Sequence, residues 1–287
     1  MFDHIRAFYQ PKSVREAVRL LHSGPGRVLG GGTDLALLQD RSIRFLVDVK
    51  HLGLDYIRRD GNGCDIGTAC TMSALEHSPI VRGLAGGILA RAAATCGSIQ
   101  IRNLATIGGN LANASPSAEF APPLLALGAS VQCVGCGSER AIPIDEFFLA
   151  PGKTALRKDE LITEIRVPSP APGLRSLYLK HALRKMDVAV ASASVCLVLE
   201  GDRCTHARIA LGAVGPVPFR SRKAEAALAG QRLAGGRAES ELFEQAARLA
   251  SEESVPIDDL RAYADYRKKL VAMLVGKALE RLMARPA

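Results

Sequence analysis

Hydrophobic and polar positions alternate along this chain with two periods, and the switches between them mark the elements. Ser13-Val14-Arg15-Glu16 is a capping-box pattern followed by apolar Ala17, Val18, Leu20 and Leu21 and stopped at Gly24, which predicts a short surface helix. Arg27-Val28-Leu29 reads as a brief strand running into Gly30-Gly31-Gly32-Thr33-Asp34, with a helical pattern at Leu35, Leu37 and Leu38 beyond, so these glycines sit on a strand-to-helix turn. Residues 45–49 and 64–68 read as strands around the turn signal Asp60-Gly61-Asn62-Gly63. From Ser73 to Ala94 the spacing is helical, with Leu75, Ile80, Leu84, Ile88 and Leu89 on the inward face. Residues 130–134 and 161–167 are strand-like again.

The run Pro168-Ser169-Pro170-Ala171-Pro172-Gly173 interrupts helix and sheet alike, because repeated proline removes backbone donors. It sets the expected boundary between a domain over 1–168, in two α+β halves split near 55, and a second over 174–287. In the second, strands are expected over 176–180, 188–199 and 207–214, and helices over 221–229, 238–250 and 264–284. The whole is an α+β fold with a smaller α+β C-terminal domain.

Composition narrows the function classes. No apolar stretch reaches the roughly 18 to 20 residues of a membrane span. The net charge of +8 is spread over interleaved acids and bases without tryptophan, which argues against nucleic acid. The 7 cysteines lack regular spacing, so a reducing, cytoplasmic setting is expected. Cys133 and Cys136 form a lone C-x-x-C with no second pair for zinc or a cluster, and the 6 histidines make no H-x-x-x-H pattern. No G-x-S-x-G or comparable nucleophile signature occurs, and no metal ligands or catalytic residues are assigned.

Two glycine loops carry the candidate chemistry: Leu29 to Leu35, and Thr106-Ile107-Gly108-Gly109-Asn110. Glycine lets backbone N–H groups surround an anion, and a side chain at Gly31 or Gly108 would obstruct a phosphate. Neither loop satisfies G-x-G-x-x-G or ends in Lys followed by Ser or Thr, so the two common nucleotide motifs are disfavoured. Taken singly, each could be an ordinary tight turn. Taken together, with the run from Gln100 to Glu119 poor in bulky side chains, they suit a wall around a large polar ligand bearing a pyrophosphate.

Gly30 to Leu35, the long run Gln100 to Pro116, and Glu160-Leu161-Ile162 before Val167-Pro168 resemble the FAD-binding medium subunits of the molybdenum hydroxylases, the family of carbon monoxide dehydrogenase and bacterial xanthine dehydrogenase. The likeness extends over nearly the whole chain, through Tyr178-Leu179-Lys180 and Arg184-Lys185-Met186-Asp187. It implies a two-part PCMH-type FAD-binding domain with FAD as the only cofactor, held by the two loops. It further implies that Glu119, usually Asp in the family, contacts the cofactor, and that Ile162 by its backbone and Lys180 by its charge lie near the isoalloxazine. Without the resemblance, Lys180 reads as a surface lysine.

The same resemblance implies an oxidoreductase subunit that relays electrons from a small [2Fe-2S] partner to a terminal acceptor. Substrate chemistry then lies in a large molybdopterin-binding partner, the assembly being a dimer of heterotrimers. Two departures stand out: Thr33 replaces a histidine found in some relatives, and the four-cysteine insertion of the hydroxybenzoyl-CoA branch is absent from the sequence. The alternatives are a stand-alone FAD-dependent oxidase, which would need a catalytic base, and a non-redox nucleotide-binding scaffold subunit.

Overall fold

In the computed structural model, residues 4–38 and 40–284 are described. The first elements are β1 (Ala7–Tyr9), α1 (Val14–His22), β2 (Gly26–Leu29), α2 (Leu35–Leu38) and β3 (Phe45–Asp48). The strands form a three-stranded parallel sheet in the order β1-β3-β2. The expected cap is present at α1: Ser13 Oγ accepts from Glu16 N at 3.2 Å, while Glu16 accepts from the backbone N–H of Lys12 at 2.8 Å, one residue earlier than the standard box. Ala17, Val18 and Leu21 of this helix pack on Val47 and Val49.

Next come β4 (Ile57–Asp60), β5 (Gly63–Gly67), α3 (Met72–His77), α4 (Pro79–Gly83), α5 (Ile88–Ala94), α6 (Ile99–Leu104), α7 (Ile107–Asn113) and α8 (Ala121–Leu127). They are followed by β6 (Ser130–Gly135), β7 (Ser138–Pro143), α9 (Ile144–Phe147), β8 (Phe148–Ala150), β9 (Lys153–Thr154) and β10 (Leu161–Val167). A five-stranded antiparallel sheet, β4-β5-β10-β6-β7, buries Ile66, Val131 and Ile165 against Leu75, Ile88, Leu89, Leu111 and Leu124 of the helices.

The single helix expected over 73–94 is instead three pieces, α3, α4 and α5, joined by a 3-10 turn at Ala85–Gly87. Pro79 cannot continue the hydrogen-bond ladder of α3, and Gly86 and Gly87 take φ of 64° and 75°, which breaks the helix while keeping the apolar face on one side. Within the same sheet, Cys133 is buried in β6 and Cys136 is exposed on the β6–β7 turn.

The remaining elements are β11 (Leu174–His181), β12 (Ala191–Glu200), β13 (Arg203–Gly212), β14 (Phe219–Arg220), α10 (Arg222–Leu228), α11 (Arg237–Glu253) and α12 (Ala264–Met283). Their four-stranded antiparallel sheet runs β11-β12-β13-β14. Strand β12 begins at Ala191, since residues 182–190 form the hairpin tip closed by Val190 N donating to His181 O.

Strand alternation gives β11 two different faces. Leu177 packs with α10, α11 and α12, whereas Ser176 donates to Ala85 O, Tyr178 joins the core of the five-stranded half, and Lys180 reaches Thr95 O at 2.8 Å. The C-terminal sheet is thus sandwiched between its own helices and the N-terminal half. Among the described residues, no helix is long and apolar enough to cross a membrane.

Candidate functional site

The first glycine loop connects β2 to α2, as the sequence pattern predicts. Leu29 ends the strand with its carbonyl accepting from Val49 N at 3.1 Å, and Gly32 turns the chain at φ 73°. Asp34 O accepts from Leu37 N and Leu38 N, starting the helix at Leu35. Among the described residues, no protein group accepts from the backbone N–H of Gly31, Gly32, Thr33 or Asp34. Successive unpartnered amides on a half-exposed turn form a concavity suited to phosphate oxygens.

The second loop is built differently. Residues 105–108 run antiparallel to residues 68–72: Met72 N donates to Ala105 O, Ile107 N to Cys70 O and Gly108 N to Thr68 O, at 2.9 to 3.0 Å. Thr106 caps α7 by accepting from Gly109 N at 3.1 Å, and its carbonyl takes the Asn110 N–H. The N–H groups from Ile107 to Asn110 thus have partners within the chain, in contrast to those of the first loop. Gly108 is glycine for packing, because a Cβ there would lie 2.6 Å from Thr68 Cβ and 2.9 Å from Thr68 O.

The two loops touch. A Cβ on Gly30 would come within 2.7 Å of Thr106 Oγ1, and one on Gly31 within 1.9 Å of Leu104 O. The second loop is thus the wall on which the first rests, and glycine is required where the two backbones meet.

The other predicted residues join through intermediates. Ile162, 5% exposed, is the second residue of β10, opposite Cys133 and just before a register shift; its carbonyl accepts from Thr68 Oγ1 at 2.9 Å, which links it to Gly108. Asn110 Oδ1 accepts from Phe120 N at 3.3 Å and so fixes the turn carrying Glu119. Glu119 Oε1 lies 3.0 Å from Lys180 Nζ, the two side chains being 10% and 4% exposed. Lys180 is therefore not a surface lysine. It is half of a buried ion pair, with a second bond to Thr95 O.

Three neighbours escaped the sequence reading. Thr68 carries both Gly108 and Ile162, and nothing local distinguishes it from any threonine ending a strand. Cys96 lies against the Glu119–Lys180 pair, where burial pushes its thiol far above the ordinary range. Tyr178 is 4% exposed with a hydroxyl lacking any hydrogen-bond partner among the described residues, and burial raises its phenol strongly. Strand alternation could have found Tyr178, since it stands two residues from Lys180 on one face.

Residues 2–170 match the model of the FAD binding domain in molybdopterin dehydrogenase, and residues 176–282 that of the CO dehydrogenase flavoprotein C-terminal domain. The chain belongs to the FAD-binding subunits of the molybdopterin dehydrogenases. It is 33% identical over 288 residues to the carbon monoxide dehydrogenase medium chain of Hydrogenophaga pseudoflava, covering 98% of each. It is 30% identical over 284 residues to the glyceraldehyde dehydrogenase medium chain of Sulfolobus acidocaldarius, covering 97% of each. The fold superposes on a chain of the Hydrogenophaga pseudoflava carbon monoxide dehydrogenase structure with a TM-score of 0.92 at 34% identity, covering 99% of both chains. A chain of quinoline 2-oxidoreductase from Pseudomonas putida follows at 0.88 and 27% identity, covering 97% of this chain and 96% of that one.

The cofactor of this flavoprotein subunit is FAD, and the family resemblance read from the glycine loops stands. The residues fit it: the backbone N–H groups of Gly31 to Asp34 have no partner among the described residues and are free to meet phosphate oxygens.

Proposed function

We propose that this subunit relays electrons, receiving them from iron–sulfur clusters of a small partner and handing them to a terminal acceptor, while a large molybdopterin-binding partner oxidises the substrate. The observation that carries the reading is the first loop, whose four backbone amides have no partner among the described residues and so suit a phosphate better than a reacting group. Medium chains of carbon monoxide and glyceraldehyde dehydrogenases among the relatives support it. The assembly is read as a dimer of heterotrimers acting in the cytoplasm, a reducing compartment that suits 7 free cysteines. The division of labour within the chain is 1–168 for FAD, in halves meeting near 55, and 174–287 as the closing domain.

Bound FAD supplies reversible electron storage in its isoalloxazine. The chain's own groups bind and tune it. Gly30 to Leu35 and Thr106 to Asn110 together face the pyrophosphate, the second loop also supporting the first. Ile162 is fixed through Thr68 where β10 begins, and Lys180 presents a cation whose field is offset by Glu119 at 3.0 Å. The test is spectral: the isolated FAD-loaded subunit, mixed with candidate organic substrates in stopped flow, stays oxidised and bleaches only when both partners are present. Bleaching of the isolated subunit by substrate would instead establish an independent oxidase.

A further inference from the structure

The first loop rests on a helix that has no apolar anchor. None of the 6 residues of α6 is buried, and its Ile99 and Leu104 stand 66% and 52% exposed. A helix this short does not persist in water by itself, so its place depends on tertiary contacts. Yet a Cβ on Gly31 would come within 1.9 Å of Leu104 O and 2.8 Å of Ala105 Cα, which means that the loop lies directly against the end of α6. The spacing of the free N–H groups from Gly31 to Asp34 follows from where that end is held.

On its C-terminal side the segment is pinned by backbone, Met72 N donating to Ala105 O at 2.9 Å. On its N-terminal side the tie is Arg102. Its Nε donates to Glu76 Oε2 of α3 at 2.8 Å and its Nη1 to Gly97 O at 3.0 Å, the two charged side chains being 15% and 20% exposed. Among the described residues, no other side chain of α6 forms a hydrogen bond or ion pair. The anchoring end is firm, because α3 buries Met72 and Leu75 completely and Glu76 O accepts from Arg82 Nε at 2.7 Å. A guanidinium that donates to two acceptors at once fixes direction as well as distance, and shelter from water preserves the attraction.

We infer that Arg102 and Glu76 are positioning residues for FAD binding: the pair is a strut that fixes α6 and, through the Leu104 carbonyl, the amides of the first loop. The inference rests on the reading of that loop as the pyrophosphate cradle. A cradle ordered before its ligand arrives forfeits less entropy on binding, so releasing α6 lowers affinity while the buried cores stay as they are.

The test uses the full chain freed of FAD, titrated with FAD and with ADP, which carries the same adenosine and pyrophosphate without the isoalloxazine. Arg102→Met should weaken both ligands by a common factor of roughly tenfold or more. Arg102→Lys keeps the charge and one of the two bonds and should fall between, which serves the comparison if the Met variant does not fold. The double variant Arg102→Met with Glu76→Met leaves no stranded carboxylate, so it should recover the urea midpoint of the FAD-free chain and still bind both ligands weakly. Wild-type affinity in the single variants, or affinity recovered together with stability in the double variant, would overturn the inference. So would a loss for FAD alone, since the defect would then lie at the ring end. Gly31→Ala measured alongside separates the two readings: if it weakens both ligands and Arg102→Met weakens neither, only the strut falls, whereas unchanged binding by Gly31→Ala removes the cradle and the strut with it.

Discussion

The Glu119–Lys180 pair allows the sharpest prediction, because its two members can be removed singly and together. At 3.0 Å and an effective dielectric near 20, two unit charges attract by about 5.5 kcal/mol, with much of that offset by the cost of taking both out of water. Replacing Glu119 by Gln leaves Lys180 with only the Thr95 carbonyl as a partner in a site where its side chain is 4% exposed. Breaking one side of such a pair is expected to cost about 3 kcal/mol. Lys180→Met should cost about the same, stranding the carboxylate beside Cys96. The double variant replaces two buried charges by neutral groups of similar size and should return to within about 1 kcal/mol of wild type. Urea unfolding of the FAD-free chain, followed by circular dichroism, measures all four forms. If the double variant loses the sum of the two single losses to within about 0.5 kcal/mol, the residues are uncoupled and the buried-pair account is wrong.

The same pair predicts opposite redox shifts: Glu119→Gln leaves a net cation and raises the flavin midpoint potential, Lys180→Met leaves a net anion and lowers it, and the double variant sits near wild type. Potentiometric titrations in which neither single variant moves would remove both residues from the flavin's surroundings. Gly31→Ala forces a Cβ to within 1.9 Å of Leu104 O and should weaken FAD binding at least tenfold, read by fluorescence quenching on titration. Gly108→Val drives a side chain into Thr68, so it should cost about 1 to 3 kcal/mol of stability even without FAD; an unchanged urea midpoint would count against that account. Glu160 is held below its ordinary 4.5 by the Arg140 guanidinium, which it accepts from at 2.8 Å on both oxygens. Its contribution is complete above that value and fades as pH falls through the lower folded one, so the stability advantage of wild type over Glu160→Gln should shrink between about pH 7 and pH 3.5. A constant difference across that range would mean that Glu160 does not titrate differently on folding.

Much of the candidate site is legible in sequence because its signals are local. A strand leading through Gly30-Gly31-Gly32 into a helix needs only the period of the flanking residues and the turn chemistry of glycine, and the structure has that order as β2, loop and α2. The Ser13–Glu16 cap and the proline run at 168–172 are local in the same sense. Alternation in β11 likewise puts Tyr178 and Lys180 on one face by their spacing of two alone.

Tertiary structure decided which of these residues act together. The amides of Gly31 to Asp34 stay unpartnered, while in the second loop those of Ile107 and Gly108 go to Cys70 and Thr68 and those of Gly109 and Asn110 to Thr106, a distinction that two similar glycine strings do not encode. Lys180 meets Glu119 across 61 positions of sequence, and Gly31 meets Leu104 across 73, contacts that exist only because the two halves and the C-terminal sheet pack as they do. Local pattern sets dihedral preference and which face turns inward. The partner of a buried charge or a backbone amide is chosen by long-range packing, where a neighbour a few tenths of an ångström too close decides that only glycine fits.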